Sequence, residues 1–284
     1  MNIQLIASDL DGTIIDRNNY ISQKNFEAIE KIHAKNIPFA ICTGKSYSVS
    51  QKICKQLNAT YGIFGNGTQI INLQTEKELF RRTLSKEDFL FILTIAKRYN
   101  YHIHLYTENE IITERLEFLD LRNFTLNSES VSPSLKFTVV DNIESYINKH
   151  SNNIFSIVVS TESSSLINFQ NLISINKNIS FAYINKRGIF RDNIINKDYE
   201  YLNIFPTNIN KNEAIIFLAN YLNISQKNIL AIGDNINDFE MIKNAGIGVA
   251  INSAFSDLNP IATYVTKATV SEGGFSEAIL KYIK

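Results

Sequence analysis

Ile3-Gln4-Leu5-Ile6-Ala7-Ser8-Asp9-Leu10-Asp11-Gly12-Thr13 opens the chain with an apolar run that ends in two carboxylates. Ile3 to Ala7 read as a short buried strand and Gly12 breaks it. That predicts Asp9 and Asp11 at the carboxyl end of the strand, with both side chains on one side. In open α/β sheets ligands bind at that edge. The bland alternative is a solvated Asp-Gly turn, given the turn chemistry of those residues. Two carboxylates this close repel and raise each other's pKa, so a fold that keeps them together needs a compensating cation or a task for a shared proton.

Phe26, Ile29 and Ile32 recur at helical spacing between Ser22, which can cap a helix, and Lys35. A strand at Ile37 to Cys42, an amphipathic helix around Val49, Ile53 and Leu57, and a strand at Tyr61 to Phe64 follow. Strand, helix, strand, helix, strand means a parallel sheet. The same order returns late in the chain, with helices at Lys211 to Leu222, Asp238 to Asn244 and Ser276 to Ile283 between strands at Ile229, Ile247 and Thr263. The segment from about Thr83 to Lys186 carries its own helices and strands, opening on a helix that Ser85 and Asp88 cap. Its strands alternate apolar and polar residues, as in a sheet with one face open to solvent or to a cleft. The predicted class is therefore α/β: a Rossmann-like parallel-sheet core over 1–82 and 187–284, split by an inserted α/β domain over 83–186.

The chain of 284 residues, 44% hydrophobic, can bury a sizeable core. Lys plus Arg equals Asp plus Glu at 28 each, so the overall balance offers no polyanion-binding surface and no support for a nucleic-acid partner. Cys42 and Cys54 are too few for a disulfide framework, which favours a reducing compartment. The first residues run straight into a strand without a basic leader, and no apolar stretch approaches membrane-spanning length. These features predict a soluble cytoplasmic protein without a membrane partner, a monomer or a weak homodimer.

A second strand ends in carboxylates: Ile229-Leu230-Ala231-Ile232-Gly233-Asp234-Asn235-Ile236-Asn237-Asp238. A parallel sheet puts its strand carboxyl ends on one edge, so Asp234 and Asp238 can meet Asp9 and Asp11 there. Four acids with no His or Cys beside them favour a hard dication, magnesium, which keeps waters for a phosphate to share. Lys211 falls in the first turn of a helix, where a cation is unfavourable unless an anion joins it; an ordinary solvated lysine is the alternative. Thr43-Gly44 offers a hydroxyl and an unobstructed backbone N–H to a phosphate oxygen. Together these residues describe phosphoryl transfer with Asp9 or Asp11 as nucleophile, the other carboxyl moving the proton, and a metal and a lysine neutralising the phosphoryl oxygens.

Over nearly its whole length the chain resembles the haloacid dehalogenase-like superfamily, and within it the Cof-type phosphatases, whose α/β cap interrupts the core between the second and third motifs. Asp9-Leu10-Asp11-Gly12-Thr13 matches the first motif, Thr43 the second, Lys211 the third and Gly233-Asp234-x-x-Asn237-Asp238 the fourth. The resemblance implies that Asp9 is the nucleophile and that Asp11 is the general acid/base, with its backbone carbonyl on magnesium. It also implies Asp234 as a direct metal ligand, Asp238 holding the metal through water, and Thr43, Gly44, Lys211 and Asn237 on the phosphate or substrate. Two departures stand out. Thr43-Gly44-Lys45 replaces the usual Thr-Gly-Arg, and a point charge is not equivalent to a planar fork. Ala250-Ile251-Asn252-Ser253-Ala254 replaces Ala-Met-Gly-Asn-Ala, which leaves open whether Ser253 takes over a family contact.

Other residues read more blandly. Gly65-Asn66-Gly67 resembles a family loop facing the active site, but Asn-Gly is also the commonest tight hairpin turn and is favoured as such here. His102 and His104 share a strand face without a third ligand at a suggestive spacing. Arg187 and Arg191 sit where the insertion returns to the core, and Cys42 reads as a small buried residue. The expected activity is magnesium-dependent hydrolysis of small phosphorylated metabolites, sugar phosphates first, through an aspartyl-phosphate. The alternatives are a hexose-phosphate phosphomutase, separated by inorganic phosphate release, and a non-catalytic sugar-phosphate sensor, which has no use for a nucleophile.

Overall fold

The opening run forms β1 (Leu5–Asp9), buried along its whole length. This structure, a computed structural model, describes residues 2–16, 18, 20–108, 110–115, 136–150, 153–183, 199–252 and 254–284. α1 (Gln23–Ala34) begins at Ser22, whose hydroxyl accepts from the Asn25 N–H, and buries Ala28, Ile29 and Ile32. β2 (Phe39–Cys42), α2 (Tyr47–Gln56) and β3 (Tyr61–Phe64) follow. A tight turn over Gly65–Gly67 leads into β4 (Gln69–Asn72), antiparallel to β3, the hairpin that the Asn-Gly pair predicts. β5 (Lys77–Arg81) pairs antiparallel with β4 and carries no clear apolar pattern in sequence.

The inserted segment runs α3 (Lys86–Arg98), β6 (His102–Tyr106), β7 (Glu110–Thr113), β8 (Lys136–Val139), α4 (Ile143–His150), β9 (Ser156–Glu162), α5 (Ser163–Ile173), β10 (Ile179–Tyr183) and β11 (Tyr199–Pro206). At its start Ser85 accepts from the Asp88 N–H, and the Asp88 carboxylate accepts from the Ser85 hydroxyl. The chain closes with α6 (Lys211–Tyr221), β12 (Ile229–Gly233), α7 (Phe239–Asn244), β13 (Ile247–Ala250), β14 (Tyr264–Val265) and α8 (Gly274–Tyr282).

Two compact units result, Met1–Arg81 with Ile209–Lys284, and Arg82–Asn208. The second boundary corrects the expected one at 187: β11 pairs antiparallel with both β9 and β10, Leu202 opposite Val159 and Tyr183, so 199–208 belong to the inserted unit. The first unit is one sheet in the order β14-β13-β12-β1-β2-β3-β4-β5, parallel from β14 to β3. Alternation along its strands splits the apolar residues between two faces. Ile6, Ile41, Leu230 and Val249 join Ile29 and Phe275 in one cluster, and Leu5, Ala7, Cys42 and Ala231 join Ile215, Leu218 and Met241 in another. Helices cover both faces, which is why these strands read as continuous apolar runs. Ser8 lies opposite Ile232 and Asp9 opposite Cys42, so β1, β2 and β12 end together and Asp9, Thr43 and Asp234 leave the sheet at one edge.

The second unit is a mixed sheet in the order β10-β11-β9-β6-β7-β8. Ile103, Leu105, Ile157, Val159, Leu202 and Ile204 form its own cluster with residues of α3, α4 and α5. On the other face His102 lies opposite Ser160 and Ser160 opposite Tyr201, with His104 and Asn203 in the next row. The expectation of an open face is corrected at these positions: His102 and His104 are each 4% exposed and Ser160 1%. Among the described residues no helix is long and apolar enough to cross a membrane.

Candidate active site

Lys211 is the first residue of α6, whose N-cap Asn210 accepts from the Glu213 N–H. Its side chain is completely buried, and its ammonium donates to Asp9 Oδ1 at 2.5 Å and to Asp238 Oδ1 at 2.6 Å. Burial excludes the solvated-lysine alternative, because an ammonium loses its water only where anions replace it. Burial pulls the Lys211 pKa down, but the carboxylates of Asp238 and Asp9 outweigh it and hold the ammonium above its usual value.

Asp238, 0% exposed, is fully committed: Oδ1 takes the lysine, and Oδ2 accepts from the Asp234 and Asn235 N–H groups at 3.0 Å each. Asp234 accepts from the Thr13 hydroxyl at 3.1 Å. Gly12 adopts φ +92°, the left-handed region, and a Cβ there would overlap the Asp234 carboxylate, so the chain reversal after β1 and the approach of Asp234 both require glycine. Asp9, Asp234 and Asp238 offer carboxylate oxygens within 4.8 Å of one another. Burial, reinforced by Asp238, Asp234 and Asp11 and opposed by Lys211, raises the Asp9 pKa well above the usual carboxylate range. Burial and the Asp238 charge push Asp234 up to about 6.

Three carboxylates against one ammonium leave two negative charges uncompensated when all are ionised. Burial is the main cause of the raised pKa values of Asp9 and Asp234, and the excess negative charge adds to it, an excess that a divalent cation would cancel. The all-oxygen donor set fits magnesium. Since Asp238 is occupied by its hydrogen bonds, Asp9 and Asp234 are the carboxylates fit to hold the ion directly.

Asp11 corrects one expectation. Its side chain stands outside the cluster and accepts from Lys45 Nζ at 2.7 Å, both side chains being partly exposed. The lysine that replaces the family's arginine thus engages the second aspartate of the first motif. Thr43 is buried and its hydroxyl accepts from the Lys45 N–H at 3.1 Å. Asn237 is exposed and its side-chain N–H donates to Asn66 Oδ1 at 3.0 Å. Thr13, Lys45 and Asn66 are the neighbours that sequence reasoning did not assign to the site; for Asn66 the Gly-Asn-Gly loop was the available signal. His102 and His104 have no third ligand among the described residues, and burial lowers their pKa values to about 4 and about 3. Burial likewise raises the Cys42 thiol, an inert position beside the site. Arg187, Arg191 and Ser253 lie outside the described residues.

A family model described as haloacid dehalogenase-like hydrolase matches residues 6–279. The chain belongs to that family. Among curated relatives of this hydrolase, the Bacillus subtilis 5-amino-6-(5-phospho-D-ribitylamino)uracil phosphatase YcsE is 24% identical, with 100% of this chain and 97% of that protein covered. Phosphatase YwpJ of the same organism is 26% identical over 95% of this chain and 97% of its own length. A solved HAD subclass IIB sugar phosphatase superposes with a TM-score of 0.76 at 17% identity, covering 99% of this chain and 100% of the other, which shows a shared fold.

Proposed function

We propose that this hydrolase is a magnesium-dependent phosphatase of small phosphorylated metabolites, sugar phosphates in the first place, working in a reducing cytoplasm through an aspartyl-phosphate on Asp9. The observation that carries the reading is the fully buried Lys211 ammonium bridging Asp9 and Asp238 beside Asp234. A nucleophilic carboxylate must be ionised, and Lys211 favours that form of Asp9. The same ammonium is placed to neutralise charge on a phosphoryl group arriving at Asp9, while Asp238 keeps the lysine in register. Thr43 Oγ and the Gly44 N–H would bind phosphoryl oxygens, with Asn237 on the substrate. Asp11 would protonate the leaving oxygen and then take a proton from the attacking water. Magnesium, held by Asp9, Asp234 and the Asp11 carbonyl, would keep the carboxylates ionised and offset the phosphoryl charge.

The substrate class is supported by the names of one relative, a 5-amino-6-(5-phospho-D-ribitylamino)uracil phosphatase, and of one structural neighbour, a sugar phosphatase. The compartment is supported by Cys42 and Cys54, both free and buried. In this reading the inserted unit is a cap that selects the leaving group. The test is a screen of phosphorylated metabolites for inorganic phosphate release with magnesium and with excess EDTA. Release that EDTA abolishes is expected. Full turnover in EDTA with no bound metal overturns the metal assignment, and transfer to a second hydroxyl without phosphate release would mean a mutase.

A further inference from the structure

We infer that Asn66 is a positioning residue of this site, acting through Asn237. Three observations meet at it. The Gly65–Gly67 turn is laced to the Thr43–Lys45 loop by backbone hydrogen bonds, Gly65 N–H to Lys45 O at 2.9 Å and Asn66 N–H to Thr43 O at 3.0 Å. The Asn66 side chain lies against Gly44, where a Cβ would come within 3.2 Å of its amide nitrogen and oxygen, tighter than side chains normally pack. Its carbonyl oxygen accepts from Asn237 Nδ2 at 3.0 Å.

Asn66 adopts φ 56°, ψ 29°, the left-handed region that a tight turn requires and that asparagine tolerates. Glycine meets that requirement better. The turn therefore accounts for the backbone of Asn66 and not for its side chain, which joins the loop after β2 to the loop after β12. Asn237 precedes Asp238, itself fixed by Lys211, so the Asn66 bond adds a second tether to this exposed stretch of the loop. A primary amide held through one N–H samples fewer orientations, which biases its carbonyl and second N–H toward a ligand. Preorganisation of this kind acts on binding, since the ordering precedes the substrate.

The inference rests on the proposed phosphatase reading, and Asn66→Gly tests it because that change keeps the turn and removes only the side chain. With magnesium present, KM for p-nitrophenyl phosphate and Kd for inorganic phosphate by calorimetry are measured for wild type, Asn66→Gly, Asn237→Ala and the double variant, with thermal melts of each. The loss of one hydrogen bond predicts a rise of about 3-fold to 10-fold in both constants for Asn66→Gly, with kcat within about 2-fold. The double variant should be no weaker than Asn237→Ala alone, because Asn66 acts through that residue. Wild-type constants in Asn66→Gly, or losses that multiply in the double variant, overturn the role. If wild type releases no phosphate from the ester while the Kd values still show the coupling, the phosphatase reading fails and the positioning role stands. Wild type that neither hydrolyses the ester nor binds phosphate overturns both.

Discussion

Asp9 and Asp11 stand two residues apart, and each has its own lysine. Asp9 is buried with Lys211, whereas Asp11 meets Lys45 at 2.7 Å with side-chain exposures of 44% and 41%. That separation eases, without removing, the repulsion expected of adjacent carboxylates and suits the different roles proposed for them. The buried one can be a nucleophile whose charge is held by a fixed cation, and the exposed one is within reach of a leaving group and of water. Asp9→Asn removes the nucleophile, so no phosphoenzyme should form with any ester. Asp11→Asn breaks only an exposed ion pair, worth at most about 1 kcal/mol, so the fold should survive. With p-nitrophenyl phosphate the departing phenolate needs little protonation. Asp11→Asn should therefore be phosphorylated and then stall, giving a nitrophenolate burst near one equivalent and slow turnover; with a sugar phosphate both half-reactions should slow. Rapid-mixing absorbance checks the ester and phosphate release checks the sugar. A burst from Asp9→Asn, or wild-type sugar-phosphate turnover by Asp11→Asn, would refute the division of roles. The meeting of Asp9, Asp234 and Asp238 was legible in sequence because parallel strands end on one edge. Where Asp11 points was not, because it depends on Lys45, a residue of another loop.

The strand pair His102 and His104 carries a pH dependence opposite in sign to that of the raised carboxylates Asp9 and Asp234. Burial lowers both, to about 4 and about 3, with Arg115 adding to the first and His102 to the second. His104 Nδ1 has no hydrogen-bond partner among the described residues. A histidine whose folded pKa lies below its unfolded value of 6.5 binds its proton more readily in the unfolded chain. The native sheet therefore has its full stability above pH 6.5 and loses it as the pH falls toward 4 and 3. At pH 5 the loss should approach about 2 kcal/mol per histidine, by linkage from those values. Urea unfolding at pH 7.5 and pH 5 measures it, and His104→Val should remove roughly half of the dependence without an unsatisfied buried nitrogen. Identical losses in variant and wild type would refute the assignment. The same sheet shows where sequence reading stops. β11 alternates Tyr201, Leu202, Asn203 and Ile204 like any half-buried strand, but its partner β9 lies far back in the chain. Membership in a sheet is a non-local property, so the sequence alone closes the inserted unit too early, at 186.

The two units have separate apolar cores, since among the described residues the cluster running from Leu84 to Ile204 contains none of the first unit. Each core satisfies its own sheet, which is the physical condition for independent folding. Chemistry and selection should then separate as well. Every residue proposed for phosphoryl transfer, from Asp9 through Thr43 to Lys211 and Asp238, belongs to Met1–Arg81 or Ile209–Lys284. Replacing Arg82–Asn208 by a short Gly-Ser linker should leave a cooperatively melting core that retains Asp9, Lys211 and the acidic group. Such a core should still hydrolyse p-nitrophenyl phosphate, because the charges proposed to stabilise the transition state all belong to the first unit. It should also lose the order of preference among phosphorylated metabolites, since the groups that sort leaving alcohols are assigned to the removed unit. Comparing kcat/KM across the same metabolite panel for the full chain and the core decides this. A truncated protein that keeps the full preference order would place specificity in the loops around Thr43, Asn66 and Asn237, and the inserted unit would need another role.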